Sequence, residues 1–141
     1  MTRYMPDGWT LPAVTAQNRP FFTSGKLMLQ QCASCSKVQH PPEDICIHCQ
    51  GMDLGYVEAA GTGEVYSYTI AYHAVHPRLS ERVPYNAVLV RLDDYPHVRI
   101  VGNLIDAGHD EVRIGTRVRA TWEEIRTEDG ETLRLPQWVQ A

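Results

Sequence analysis

From residue 61 onward, apolar and polar positions alternate in short runs separated by turn residues, the period-2 signature of half-buried strands. Residues 64–72 place Tyr66, Tyr68, Ile70 and Tyr72 on one face and Val65, Ser67, Thr69 and Ala71 on the other. Gly61 and Gly63 suit a bulge or tight bend at the start of that run. Residues 85–92 and 97–104, joined across Asp93-Asp94-Tyr95-Pro96, predict a hairpin, and residues 73–84 a long loop. Residues 116–125 and 132–139 flank Glu128-Asp129-Gly130, a strong hairpin turn. Five consecutive strands without a helical period point to a small closed sheet. The five-stranded OB-fold barrel is the economical solution, with a sandwich or an SH3-like barrel as alternatives.

Before residue 61 the pattern differs. Residues 1–16 hold Pro6, Gly8 and Pro12 and show no period, so they predict an arm ordered only where something covers it, with Trp9 and Leu11 as anchors. Asn18 is placed to N-cap a short helix through Pro20, Phe21 and Phe22 that Gly25 ends. Adjacent phenylalanines on a helix point about 100° apart. One is expected in a small core, and the other is a candidate for partner binding. Residues 26–31 read as a strand, with Leu27 and Leu29 on one face and Met28 and Gln30 on the other. The expected fold is therefore mostly β: arm and short helix over residues 1–25, a ribbon over 26–57, and a barrel over 58–141.

The ribbon assignment rests on Cys32-Ala33-Ser34-Cys35 and Cys46-Ile47-His48-Cys49, which contain all four cysteines of the chain. Two C-x-x-C turns facing each other close a tetrahedron of sulfurs, a soft site that suits Zn2+ ahead of iron. With four thiolates as ligands no coordination position is open, so the expected metal is structural. It would contribute about 10–16 kcal/mol to local folding. Two disulfides or a redox pair are the competing readings. Residues 1–11 lack the apolar run of a secretory signal; a redox pair would need a C-x-x-C opening a helix after a strand, and two such pairs this close make poor sense.

Charge narrows the classes further. Thirteen basic against seventeen acidic residues give a net charge of −4, which argues against a nucleic-acid partner. No apolar run approaches the roughly 20 residues of a membrane span. The expectation is a soluble, cytoplasmic protein without a membrane partner.

A catalytic set is hard to assemble. The metal claims every thiol, and the six histidines are scattered. His48 is an alternative ligand inside its knuckle. His73 and His76 have a spacing that a metal or a general base can use, although loop histidines are ordinarily solvated. Gly61-Thr62-Gly63 lacks the helix and lysine of a phosphate loop. No catalytic residue is expected. Arg78 and Arg82 are candidates to meet phosphates or carboxylates, weakened by Glu81 beside them. Tyr66, Tyr68 and Tyr72 would make a stacking platform of the kind OB-folds use for single strands, unless they fill the barrel or pair across strands.

Read together, Pro20-Phe21-Phe22, Gly25-Lys26-Leu27, Gln31-Cys32-Ala33-Ser34-Cys35, Pro41-Pro42, Cys46-Ile47-His48-Cys49, the run from Gly61 to Thr69, and Pro84-Tyr85 carry a resemblance. The chain resembles the acyl-CoA-associated zinc-ribbon plus OB-fold proteins of domain-of-unknown-function family thirty-five. The resemblance implies an N-terminal helical segment, a rubredoxin-like zinc ribbon and a C-terminal OB-fold. It also implies zinc on Cys32, Cys35, Cys46 and Cys49. The implied role is an accessory subunit that completes or bridges a thiolase-fold or MaoC-like hydratase partner and contacts acyl-CoA. A stand-alone acyl-CoA carrier and a single-strand nucleic-acid module are the alternatives. The chain departs from the family pattern in having Phe22 where many members have Trp. Ser36 and Gln50 also stand where glycine would follow each knuckle, which argues against a rubredoxin-type iron site.

Overall fold

A computed structural model describes residues 4–141; the first three residues of the predicted arm lie outside the described residues. The chain folds as a short helix, a three-stranded ribbon and a five-stranded barrel, so the mostly β expectation holds.

The helix α1 spans Arg19–Thr23. Asn18 occupies the N-cap position without capping it. Its Oδ1 instead accepts from the Thr15 N–H at 2.7 Å, and its Nδ2 donates to the Ala13 carbonyl at 3.0 Å. Asn18 thus folds back the preceding arm, because its local backbone donors outcompete the helix amides. Gly25, at φ 70°, ends the segment in the left-handed region, as predicted. Phe21 is buried, its ring centroid 4.9 Å from that of His40.

The ribbon sheet has the order β2-β1-β3, with β1 Met28–Cys32, β2 Val38–Gln39 and β3 Leu54–Glu58. Leu27 and Leu29 are buried as predicted, but so is Gln30. The Gln39 Nε2 donates to Gln30 Oε1 at 2.7 Å. Gln30 in turn bonds both the carbonyl and the N–H of Glu43, each at 2.8 Å. Gln39 Oε1 also accepts from the Ile47 N–H at 2.9 Å. Two buried amides therefore hold the loop that carries the second cysteine pair. Burial is tolerated because each bonds the backbone it covers.

The barrel order is β6-β5-β4-β7-β8: β4 Thr62–Ala71, β5 Tyr85–Leu92, β6 Arg99–Gly102, β7 Arg117–Arg126 and β8 Thr132–Gln140. A parallel bridge between Leu104 and Trp138 closes it, with the Trp138 N–H donating to the Asn103 carbonyl at 3.0 Å. β6 is shorter than the strand predicted over residues 97–104. At one end the His97 Nε2 lies 2.7 Å from the Val38 carbonyl of the ribbon. At the other, Asn86 bonds the N–H and carbonyl of Leu104 at 2.7 and 3.0 Å, turning the chain toward β8. Ribbon and barrel share one buried cluster that includes Leu27, Leu29 and Val38 on one side and Val65, Val88 and Trp138 on the other.

The predicted tyrosine face does not form. A β-bulge shifts the register between Val65 and Ser67 and leaves Tyr66 without a partner on β5. Tyr68 then faces Val88 and Ile70 faces Asn86. Tyr66, Tyr68 and Tyr72 all remain exposed, so the barrel-interior reading is corrected as well. The bulge begins two residues beyond the glycines expected to make it. Gly63 serves close strand packing instead, since a Cβ there would collide with the Arg91 carbonyl oxygen.

The arm is fastened at several points. Glu123 on β7 is buried, and its Oε1 accepts from the Tyr4 and Met5 N–H groups at 2.8 Å each. Its Oε2 accepts from Gln137 Nε2 at 3.0 Å. Trp9, one of the two predicted anchors, meets His76 edge-on with centroids 5.1 Å apart.

Candidate metal centre and binding surfaces

Cys32 ends β1, and Cys35 follows in the first turn; Cys46 and Cys49 sit in an equivalent turn between β2 and β3. The two turns repeat the same bonds. The Ser36 N–H donates to the Cys32 carbonyl and the Gln50 N–H to the Cys46 carbonyl, both at 2.9 Å. Ser36 and Gln50 adopt φ 64° and 61°, the left-handed region that glycine occupies most easily. The turns require this conformation even though the sequence supplies no glycine there. The His48 N–H points at Cys46 Sγ and the Gly51 N–H at Cys49 Sγ, both at 3.4 Å.

The four sulfurs lie within 4.8 Å of one another, with Cys32–Cys49 and Cys35–Cys46 both at 3.7 Å. Zn–S bonds of about 2.3 Å place tetrahedral sulfurs about 3.8 Å apart, so the cage fits that ion. Backbone amides favour the thiolates at the first position of each pair. The Cys35 N–H draws Cys32 down, and the Cys49 N–H draws Cys46 down to about 7. At Cys49 the Gly51 N–H also lowers the thiol. Its sulfur neighbours and burial outweigh that and push it up to about 12. Four thiolates this close need a cation among them.

The other predicted site residues lie elsewhere. Phe21 is buried, while Phe22 packs at the edge of the core. Arg78 donates to the Asp7 and Gly8 carbonyls at 3.1 and 2.7 Å, and Arg82 to the Tyr4 carbonyl at 3.0 Å. Both arginines hold the arm. His76 Nδ1 accepts from the Arg78 N–H at 3.1 Å, capping the 3-10 turn Pro77–Leu79.

Sequence reasoning missed a cleft of about 690 Å³ where arm, α1, ribbon loop and barrel meet. Met5, Phe22, His40, Val101 and Leu135 contribute to its wall, with Glu43 and Asp44 as its only charged residues among those described. His40 Nδ1 is buried there without a hydrogen-bond partner among the described residues, and burial lowers the ring's pKa to about 4. The cleft draws on residues from 5 to 137, so no local pattern marks it. Among the described residues, no helix is long and apolar enough to cross a membrane.

Comparison with known proteins agrees with this architecture. The family model described as the ChsH2 rubredoxin-like zinc ribbon domain matches residues 23–54, and that of the ChsH2 C-terminal OB-fold domain matches residues 56–123. A probable enoyl-CoA hydratase alpha subunit of Thermomonospora curvata is 40% identical over 128 residues, covering 89% of this chain and 38% of that protein. The 3-oxo-4,17-pregnadiene-20-carboxyl-CoA hydratase alpha subunit of Mycobacterium tuberculosis is 33% identical over 122 residues, covering 83% of this chain and 37% of that protein. The chain therefore spans less than two-fifths of these two relatives. A DUF35 domain-containing scaffold protein of Methanocaldococcus jannaschii is 28% identical over 102 residues, 72% of this chain and 70% of that one. A chain of the solved Ltp2-ChsH2(DUF35) aldolase superposes with a TM-score of 0.75 and 37% identity, over 92% of this chain and 98% of its own. The chain belongs to the ChsH2-type zinc-ribbon plus OB-fold family, the DUF35 family.

Proposed function

We propose that this chain is an accessory subunit of an acyl-CoA-processing complex, joined to a thiolase-fold aldolase or thiolase, or to a MaoC-like hydratase. The observation that carries the reading is the end-to-end match to a chain of the Ltp2-ChsH2(DUF35) aldolase. Two longer relatives named as CoA hydratase alpha subunits support it. In this reading the fold supplies surface and geometry to the partner, and the reacting groups belong to that partner. Phe22, half-buried at the cleft, is the aromatic of its pair that a partner reaches; Phe21 supports it from the core. Cys32, Cys35, Cys46 and Cys49 hold a structural Zn2+ that fixes the ribbon against the barrel.

The test is affinity capture of the chain from its native lysate, with assay of the captured enzyme before and after the chain is stripped away. A thiolase-fold or hydratase partner that loses activity or solubility without the chain is the expected result. A partner fully active alone sinks the reading. Zinc is tested by metal analysis of the purified protein, with one equivalent expected.

A further inference from the structure

Four strands of the barrel carry charged residues in one transverse row. Arg117 on β7 faces Glu64 on β4, Glu64 faces Arg91 on β5, and Arg91 faces Arg99 on β6. The first steps of the row are compensated. Arg117 is held by Asp93 through two hydrogen bonds, and Arg91 pairs with Glu64. At the last step the alternation of sign breaks. Arg91 and Arg99 are directly opposed like charges, an arrangement that destabilises a sheet, and Arg99 has no carboxylate partner among the described residues. With Asp93 counted, the row carries one surplus positive charge.

The fold supports that surplus guanidinium. The β-bulge frees Tyr66 from its pairing with β5. Its ring lies beneath Arg99, with the guanidinium carbon 4.0 Å from the centroid, and Arg91 approaches the same ring at 5.7 Å. Stacking on an aromatic face holds a guanidinium flat and leaves its donors outward in a fork that matches an oxyanion. Bulges recur where a side chain has to be re-aimed. Two residues along β6 from Arg99, a step of about 7 Å in a strand, exposed Val101 lines the mouth of the cleft. The cleft itself has two carboxylates and no lysine or arginine, so it suits an apolar or neutral group and repels a phosphate.

We propose that Arg91 and Arg99, gathered over Tyr66, form an oxyanion site for a phosphate of a CoA-type ligand whose apolar end enters the adjoining cleft. This deepens, and rests on, the acyl-CoA reading above. Anion and apolar surface are divided between two neighbouring sites, as an amphiphile with a phosphorylated head requires. Arg78 and Arg82 stay with the arm.

The test is calorimetric titration of the full chain with CoA, inorganic pyrophosphate and pantetheine. Arg99→Ala is expected to weaken CoA and pyrophosphate by about 10-fold or more, the worth of one charge-assisted hydrogen-bonded contact. Pantetheine binding should be unchanged. Arg99→Lys should fall between, and Glu64→Gln, which removes the competing carboxylate, should tighten both anions. Arg126→Ala, at an exposed position elsewhere on β7, serves as control. Melting curves of each variant check the fold. Equal anion affinity in wild type and Arg99→Ala, or no anion binding by wild type, overturns the site even if a partner enzyme still co-purifies. Arginine-dependent pyrophosphate binding without any CoA-enzyme partner keeps the site and removes the functional reading. Loss of a co-purifying enzyme in Arg99→Ala with pyrophosphate binding intact makes Arg99 an anchor for a protein carboxylate, which also overturns the site.

Discussion

Two residues carry the strain of the knuckles. Ser36 and Gln50 both sit in the left-handed region, which costs a residue with a β-carbon about 1–2 kcal/mol. Glycine takes back part of that gain through its unfolded-state entropy. Ser36→Gly and Gln50→Gly are each expected to raise stability by about 0.5 kcal/mol, read as a higher urea midpoint at unchanged slope. A lower midpoint would mean that the side chains hold the turn by contacts of their own. Gly63 is the opposite case, since the atom crowding a Cβ there is backbone. Gly63→Ala should cost about 2 kcal/mol or more, because β5 has to shift to admit a methyl group. The cysteine motif and the departures after each knuckle were legible in sequence. The capping role expected of Asn18 was not, because its Oδ1 could bond forward to the helix or back to Thr15, and composition does not choose between them.

Among the elements, legibility tracked how local the determining contacts are. The predicted strand over residues 85–92 coincides with β5, whose inward positions alternate without interruption. The β7–β8 hairpin formed around Gly130 at φ 86°. By contrast, the bulge at Tyr66 answers to a register set by β5, and Gln30 is buried because Gln39 and Glu43 come to it. Neither contact has a signature in its own run. The ribbon loop also carries a titration. Burial holds His40 neutral, so the native protein protonates it only near pH 4, whereas the unfolded chain does so near 6.5. The unfolded state therefore binds more protons between these values. Stability is full above about pH 6.5 and declines as pH falls toward 4, by at most about 3 kcal/mol. His40→Gln should lose that slope. Denaturation of both proteins at matched pH isolates the effect from loss of metal, and parallel curves would show that His40 does not titrate differently on folding.

At the scale of the whole molecule, one buried cluster runs through ribbon and barrel, so the two are expected to unfold together. Chelation, or Cys32→Ser, is therefore expected to loosen the ribbon and, through the shared cluster, to lower the melting temperature of the entire chain. A single unchanged transition after complete metal removal would refute the structural role. Glu123 sets the other boundary. Glu123→Leu strands the Tyr4 and Met5 N–H groups and removes one of the two acceptors of Gln137 Nε2, which keeps Asn103 Oδ1, with an expected cost of about 2–4 kcal/mol. Hydrogen exchange of the two arm amides should become fast, while the β5 amides stay protected. Burial of Glu123 was invisible in sequence because the groups that satisfy its Oε1 lie at the other end of the chain, and the one on its Oε2 is set by the β7–β8 register.

That fastening reverses the order of making and the order of closing. Tyr4 and Met5 are made long before β7. Arg82 can take the Tyr4 carbonyl earlier, yet the two N–H groups have no acceptor until Glu123, more than a hundred residues later, has been synthesised and folded. Contacts between such distant residues form late, after the nearer ones have met the entropy of closing the loop. Met5 and Pro12 line the cleft, so the arm's side of it is fully fastened only once β7 is in place. A subunit that engages the chain before β7 has folded meets an arm not yet locked, whereas one that arrives later meets a cleft already walled by it.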